Sequence, residues 1–158
     1  MSTPPKSLTF GSLVLDVGRL IRQDFRRRAQ HLGLTQPQWS ALAQLHYHPG
    51  LTQAALAERL DVHPVTVTQL LERLNKAGWI RREPHEQDRR ALRVFLTASA
   101  EPLIAELARL GQQTRARAFD GLSTAEREQL ETLLLRVKAN LCCPEAAPSD
   151  ESCDDTKH

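Results

Sequence analysis

The sequence predicts a mainly α-helical protein that carries one small β-ribbon. Three observations support this fold class. Apolar residues recur at helical spacing along most of the 158 residues. Helix-capping residue types stand before several of these segments. Only residues 79–97 have the alternating pattern of strands, with a charged segment between two apolar runs. We therefore expect several helices to surround a two-stranded ribbon.

The first predicted helix extends from about Thr9 to His31. Its apolar residues have the spacing of a single helix face, and they are Leu13, Val17, Leu20, Ile21 and Phe25. Such a face must be covered by another element, and one small domain offers too little surface to cover it. We therefore expect a second copy of the chain to pack against this helix.

Two short helices are predicted to follow. Thr35 with Gln38 resembles a capping box, which starts a helix that ends before Pro49. Thr52 is the expected N-cap of the next helix, over residues 53–60. Both helices are therefore defined by local signals at their first residues.

A third short helix is expected from Pro64 to about Ala77, with Gly78 as the left-handed residue after its end. Its apolar residues Val67, Leu70, Leu71 and Leu74 share one face and can anchor it on a core. The opposite face presents residue types that contact base edges and phosphates in DNA complexes. The residues of this face are Val65, Thr66, Gln69, Arg73 and Lys76, with Thr68 at its margin. Pro64, the first residue of the helix, is also expected to contact DNA.

Residues 79–97 change from a helical to an alternating pattern. Two apolar runs flank the polar segment Glu83–Arg90, and Leu92, Val94 and Leu96 alternate onto one face of the second run. This pattern predicts a two-stranded ribbon with a long charged tip. Three short helices followed by such a ribbon form a winged helix-turn-helix, whereas the third helix alone would be read as an ordinary solvated helix.

Two further helices are predicted near the C-terminus. Thr97 is the expected cap of a long helix to about Phe119, and Ser123 with Glu126 forms a second capping box. The last helix carries an apolar stripe made of Leu130, Leu133, Leu134, Val137 and Leu141. Like the first helix, it presents an apolar face for a partner.

The charge distribution is uneven along the chain. The whole chain has 21 basic and 19 acidic residues, a net charge of +2, but residues 142–158 contain five acidic residues and one basic residue. Residues 1–141 therefore have a net charge of +6. Between Arg59 and Arg93, eight basic residues stand against five acidic ones. The small total therefore does not argue against double-stranded DNA as a partner.

Other kinds of function receive little support from the sequence. No nucleophile paired with a base, no phosphate-binding loop and no metal-ligand spacing is found, so we expect no enzyme activity, cofactor or metal. Without a membrane span or a secretory signal, a cytoplasmic location is expected. Cys142, Cys143 and Cys153 leave a redox-responsive or metal-responsive regulator as an alternative.

The sequence resembles the MarR family of winged helix-turn-helix transcriptional regulators. The most specific match is Asp88-Arg89-Arg90 followed by Leu96-Thr97, which fits the Asp-x-Arg and Leu-Thr signature of the family's wing. Further family-like stretches are Leu34-Thr35-Gln36, Leu51-Thr52-Gln53-Ala54-Ala55-Leu56-Ala57-Glu58 and Leu74-Asn75-Lys76-Ala77-Gly78-Trp79-Ile80. The sequence departs from the family at Gln69, where many members carry Arg, and at Ala100, where Gly is common.

The resemblance implies a homodimer that binds a palindromic operator, most often as a repressor. It implies that Arg90 enters the minor groove, while Asp88 orients Arg89 and Arg90. It also implies release by a small aromatic or phenolic effector in a cleft near Trp39. A winged domain that binds a protein partner without reading DNA is the alternative from another class, and the basic ribbon argues against it.

These features divide the chain into four segments. We expect an N-terminal dimerisation helix in residues 1–35 and a winged helix-turn-helix DNA-binding domain in residues 36–97. C-terminal dimerisation helices occupy residues 98–141, and residues 142–158 form an acidic, disordered tail.

Overall fold

The structure is a computed structural model that describes residues 9–86 and 91–142. The described residues fall into two compact units, divided after Ala118, and each unit is described by itself. The elements of the first unit are α1 (Phe10–Ala29), α2 (Gln36–Tyr47), β1 (Leu51–Thr52), α3 (Gln53–Leu60), α4 (Pro64–Lys76), β2 (Ile80–Pro84), β3 (Leu92–Leu96) and α5 (Glu101–Ala118). The second unit contains α6 (Thr124–Cys142).

The predicted caps define the helix starts in the structure. The Thr35 backbone N–H donates to Oε1 of Gln38 at 2.8 Å, as a capping box requires. The Ala55 N–H donates to Oγ1 of Thr52 at 3.2 Å, and α3 begins at Gln53, directly after Thr52. These hydrogen bonds confirm the two predicted helix starts. The starts could be predicted because each signal involves residues only three positions apart.

The β-sheet has three antiparallel strands in the order β1-β3-β2. The predicted two-stranded ribbon corresponds to β2 and β3, and the sequence did not predict β1. Leu51 of β1 pairs with Val94 of β3, and Ile80 of β2 pairs with Leu96. Strand β2 also continues through Glu83–Pro84, which the sequence assigned to the polar tip. The two residues of β1 are too few to produce an alternating pattern, and their pairing with β3 is non-local.

The core of the first unit lies between α2, α3, α4 and the sheet. Its largest side chains with less than 2% exposure are Leu42, Leu45, Leu56, Val67, Leu71, Leu74 and Val94. Leu70 belongs to the same cluster and is 6% exposed. All four apolar residues predicted to anchor α4 are therefore buried, and the opposite side of that helix is left to solvent.

Thr97 has a different role from the one expected of it. A 3-10 turn over Ala98–Ala100 precedes α5, and the Thr97 side chain makes no capping hydrogen bond. Its hydroxyl donates instead to the carbonyl oxygen of Gly78 at 2.5 Å, and the Ser99 hydroxyl donates to the same oxygen at 2.8 Å. Gly78 has the predicted positive φ, at 78°. The end of α4 is thereby held to the start of α5.

Asp24 links α1 to α5 and was not identified from the sequence. Its carboxylate is buried and accepts hydrogen bonds from Arg28 at 2.7 Å, Arg27 at 2.6 Å, Thr114 at 3.1 Å, and Arg117. The hydrogen bond from Arg28, aided by the other three donors, holds the pKa of Asp24 well below its usual range, although burial acts in the opposite direction. Asp24 is therefore a charged anchor of the α1–α5 contact.

The predicted stripe on α1 remains largely uncovered in this single chain. Leu13, Val17, Leu20 and Ile21 are 49%, 46%, 52% and 43% exposed. Such a row of exposed large apolar side chains marks an interaction surface.

The last helix, α6, starts at the predicted capping box and contains no buried residue. The Ser123 N–H donates to Oε2 of Glu126 at 2.8 Å. The stripe residues Leu130, Leu133, Leu134 and Leu141 are all exposed. Among the described residues, no helix is long and apolar enough to cross a membrane.

Candidate nucleic-acid interface

Helix α4 presents a polar face to solvent opposite its buried anchor. Val65 is 60% exposed, and Thr66, Gln69, Arg73 and Lys76 are exposed as well. Arg73 and Lys76 occupy the last turn of the helix, where the helix dipole favours positive charge. The face therefore offers amide, hydroxyl, methyl and cationic groups on one rigid support, which are the groups that contact base edges and phosphates.

Thr68 is held apart from the rest of this face. Thr68 is half-buried, and its hydroxyl donates to the carbonyl oxygen of Pro64 at 3.2 Å. The same hydroxyl accepts a hydrogen bond from Nε2 of Gln53, the first residue of α3. Thr68 thus joins the two helices of the helix-turn-helix, and its oxygen is already engaged within the protein.

A shallow depression on α4 adds a residue that the sequence analysis did not single out. It is lined by Gln69, Glu72, Arg73 and Lys76. Glu72 is exposed and stands one helical turn from Gln69, so its helical spacing could have identified it. A carboxylate at this position repels phosphate but can accept a hydrogen bond from the amino group of cytosine.

A groove of about 590 Å³ lies between the starts of α3 and α4 and the open end of the ribbon. Its lining residues are Thr52, Gln53, Ala54, Pro64, His85, Ala91 and Leu92. The backbone N–H groups of Gln53 and Ala54 belong to the first turn of α3, where amides have no acceptor within the helix. Free amides at the start of a helix favour anionic groups such as phosphates.

The three residues of the predicted wing tip, Asp88, Arg89 and Arg90, lie outside the described residues. The strands that lead toward them are described as far as Glu86 and from Ala91 onward. Val94 is buried, whereas Leu92, at the open end of the ribbon, is 42% exposed. The three alternating residues of β3 therefore share a face, with Val94 buried, Leu96 half-buried and Leu92 exposed.

Trp39 lines a cavity of about 240 Å³ between α1, α2 and α5. Its ring contacts Phe25, with 4.5 Å between the ring centroids and a tilt of 52°. Other lining residues are Ala43, His46, Tyr47, Ile104, Leu107, Ala108, Gly111, Gln112 and Arg115. The cavity combines aromatic walls with a cation and several hydrogen-bonding groups at its edge, which suits a small aromatic molecule with a polar substituent.

The histidines and cysteines form no metal-binding cluster in the described part of the chain. Residues 9–86 and 91–142 contain no group of three or more His, Cys, Asp or Glu side chains that could hold a metal ion. The His48 ring instead contacts Nη1 of Arg59 at 3.2 Å. Cys142 is exposed at the end of α6, and Cys143 and Cys153 lie outside the described residues.

The fold agrees with comparisons to known proteins. The model of the MarR family matches residues 34–92. The crystal structure of the transcriptional regulator PA3341 is 35% identical, with a TM-score of 0.75 over 84% of this chain and 97% of that one.

Two further structures extend the likeness. A MarR family transcriptional regulator from Silicibacter pomeroyi is 26% identical, with a TM-score of 0.76 over 87% of this chain and 93% of that one. Wild-type MarR from E. coli in its apo form is also 26% identical, with a TM-score of 0.72 over 84% and 98% of the two chains. This chain therefore belongs to the MarR family of winged-helix, DNA-binding transcriptional regulators.

Proposed function

We propose that this protein is a homodimeric repressor that binds a palindromic operator and is released by a small-molecule effector. The observation that carries the proposal is the division of α4 into two faces. Val67, Leu71 and Leu74 are fully buried, while Gln69 and Arg73 on the other side are exposed. A helix fixed in this way can enter the major groove without rearranging its own core.

Within this proposal, the residues of α4 have different roles. Gln69 reads a base, because a carboxamide can pair with adenine through two hydrogen bonds. Arg73 and Lys76 contact guanine or phosphate from the last turn. Pro64, Val65 and Thr66 approach the DNA at the start of the helix, and Thr68 supports them through its contact with Gln53.

The ribbon tip supplies the second DNA contact. We assign minor-groove insertion to Arg90, with Asp88 orienting it and Arg89. An arginine suits the negative potential of a narrow minor groove, and a neighbouring carboxylate can hold its guanidinium in place. The net positive charge between Arg59 and Arg93 is consistent with this assignment.

Binding to DNA is tested with duplexes that the wild-type protein selects from a random-sequence pool. Arg90→Ala is expected to weaken binding to every selected duplex and to reduce the log–log salt slope by about 0.9. Gln69→Ala is expected to change the preference among duplexes by about 1–3 kcal/mol at one base pair. Arg109→Ala is the control, because Arg109 lies on α5 and pairs with Glu106 at 2.7 Å.

Two results would contradict these assignments. An equal effect of Gln69→Ala on all duplexes would show that Gln69 does not read sequence. If the wild-type protein selected no duplex above background, DNA readout itself would be excluded. A winged domain that docks on a protein would then be the better description.

The dimer is proposed to form through α1 and the C-terminal helices, in residues 1–35 and 98–141. The exposed residues of the α1 stripe and of the α6 stripe support this assignment. A two-fold axis between two copies would bury both stripes and place two α4 helices about one helical turn of DNA apart, roughly 10 bp. That arrangement requires a palindromic operator.

The cavity beside Trp39 is the proposed effector site. Phe25, Trp39 and Leu107 would enclose an aromatic ring, and Arg115 or His46 would bind its carboxylate or phenol group. Because α5 lines this cavity and is bound to the end of α4 through Gly78, a ligand can favour an arrangement that no longer fits the operator.

Effector binding is tested by fluorescence and by a pair of variants at Gly111. In a Trp79→Phe background, Trp39 is the only tryptophan of the chain. Benzoate and phenol should quench the fluorescence of Trp39 and should release the protein from its DNA. Gly111→Leu should abolish both effects by filling the cavity. Gly111→Ala is the matched control, because a Cβ there meets only Phe25 Cε2, at 3.9 Å. Equal responses of both variants would exclude this cavity.

A further inference from the structure

We propose that Phe95 and Arg93 are positioning residues that fix the direction of the ribbon relative to the helix-turn-helix. Neither belongs to the DNA-contacting set assigned above. The inference rests on the proposed function for its biological meaning, but the mechanical part can be measured without DNA. Three sets of contacts on the outer face of the sheet support it.

The first set is the cross-strand register. Arg81 of β2 stands directly opposite Phe95 of β3, and Glu83 stands opposite Arg93. Because side chains alternate along a strand, these four residues project from the same face of the sheet. Opposite pairs on one face interact and stabilise the pairing of the two strands. The four side chains thus form one connected patch on the ribbon.

The second set surrounds the Phe95 ring. The guanidinium carbons of Arg81 and Arg93 lie 4.9 Å and 5.1 Å from the ring centroid. Both distances are within the range of a cation–π contact. Arg81 also forms an ion pair with Glu83 on its own strand. The ring therefore contacts one cation from each strand, and its contact with Arg81 links β3 to β2.

The third set connects the ribbon to the turn before β1. Nε of Arg93 donates to the Gly50 carbonyl oxygen at 3.2 Å, and the Gly50 N–H donates to the Val94 carbonyl at 3.0 Å. Gly50 has a φ of +80°, and a Cβ at this position would overlap the Arg93 guanidinium. The guanidinium occupies the space that only glycine leaves free. Gly50 is thereby joined twice to β3.

These contacts matter because they lie where the chain leaves the sheet. β1 pairs with β3 only at Arg93 and Val94, and α3 begins directly after β1. Arg93 is the residue next to Leu92, the first residue of β3. The pairing of Arg93 and Phe95 with β2 therefore sets the direction in which β3 and β2 end at Leu92 and Pro84. Any contact beyond Leu92 depends on that direction.

The first measurement follows the ribbon itself. A nitroxide is attached at Glu86→Cys, in a full-length background in which Cys142, Cys143 and Cys153 are serine. Phe95→Leu and Arg93→Met should each increase the mobility of the label. Phe95→Tyr keeps the ring and should match the wild-type protein, and Arg109→Met removes a distant charge and should also match it. Unchanged mobility in both Phe95→Leu and Arg93→Met would overturn the proposal.

The second measurement follows DNA contacts by hydroxyl-radical footprinting on a duplex selected by the wild-type protein. Phe95→Leu changes no charge, yet it should weaken binding about tenfold, the effect of losing one charged hydrogen bond. It should remove protection at the outer flanks of the site and keep protection at the α4 contacts.

Two other results have different meanings. If only Arg93→Met weakened binding, with a smaller salt slope, Arg93 would be a direct phosphate contact and the positioning role would be wrong. If the wild-type protein protected no DNA, the proposed function would fail, while the label mobility would still decide the mechanical role.

Discussion

Two amphipathic helices of the first unit differ in how their apolar faces are covered. In α4, Leu71 and Leu74 are 0% exposed, whereas Leu13 and Leu20 on α1 are 49% and 52% exposed. Both helices show the same kind of apolar spacing in the sequence. The difference arises because α2, α3 and the sheet surround α4, while this face of α1 has no comparable cover among the described residues of its unit. Helical spacing therefore predicts an apolar face but does not identify what covers it.

The comparison separates two kinds of stability. The apolar core of the winged domain is buried by elements of the same chain, so this burial contributes to folding at any protein concentration. The exposed stripe of α1 can contribute only when a second molecule covers it, so its contribution depends on concentration. Substitutions on the two helices should therefore affect different measurements.

The largest effect on folding is expected for Leu71→Ala. Leu71 is fully buried in the core, so removing its side chain leaves a cavity and should lower the free energy of unfolding by about 2–5 kcal/mol. Urea denaturation followed by circular dichroism measures this change. Leu71→Met, which nearly conserves volume, should cost less than about 1.5 kcal/mol. A small loss of unfolding free energy for Leu71→Ala would mean that Leu71 is not packed in the core as described.

A smaller effect per chain, seen in assembly, is expected for Leu20→Ala. Because Leu20 is already about half covered in the single chain, the two copies of the proposed dimer together lose about 1.5–3 kcal/mol of apolar burial. The dimer should therefore dissociate at higher concentration in sedimentation velocity runs. Leu15→Ala is the matched control, because Leu15 is on the same helix but outside the stripe and is 72% exposed. If both variants shifted the dissociation concentration of the dimer equally, the α1 stripe would not differ from the rest of the helix surface in dimer formation.

Asp24→Asn tests the contact that joins α1 to the rest of the first unit. The substitution weakens hydrogen bonds from three arginines, and we expect a loss of about 1.5–3 kcal/mol in the free energy of unfolding at pH 7. The loss should leave the urea midpoint of the variant below that of the wild-type protein.

The pH dependence gives an independent check on Asp24. Its pKa is lower in the folded protein than in the unfolded chain, so its stabilisation is present at neutral pH and is lost as the pH falls below about 4. The gap between wild type and Asp24→Asn should therefore narrow between pH 5 and pH 3. Glu106, whose pKa is lowered to about 2 by Arg109, is common to both proteins, so the gap isolates Asp24. A constant gap would contradict this assignment.

Local signals explain which parts of the fold could be predicted from the sequence. The boxes at Thr35 and Ser123 and the cap at Thr52 each involve residues three positions apart, and all three were identified. The exposed face of α4 follows from the same helical periodicity. These features need no knowledge of distant parts of the chain.

Non-local contacts explain what the sequence did not reveal. β1 exists because Leu51 pairs with Val94, 43 positions away. Asp24 is important because Arg117 and Thr114 reach it from α5, 90 or more positions away. The link between Phe95 and Gly50 through Arg93 likewise requires the strand register and the positive φ of Gly50. No short pattern contains this information.

The smallest effect is expected where the winged domain meets α5. The hydroxyls of Thr97 and Ser99 share the Gly78 carbonyl as their acceptor, so either can keep it satisfied after the other is removed. Thr97→Val and Ser99→Ala should therefore each lower the free energy of unfolding by about 0.5 kcal/mol, while the double variant should lose about 2 kcal/mol because the carbonyl then lacks both donors. Urea denaturation of the four proteins in a double-mutant cycle measures this coupling. Additive losses would mean that the two hydroxyls act independently, and α5 would then be joined to α4 less tightly than the shared acceptor implies.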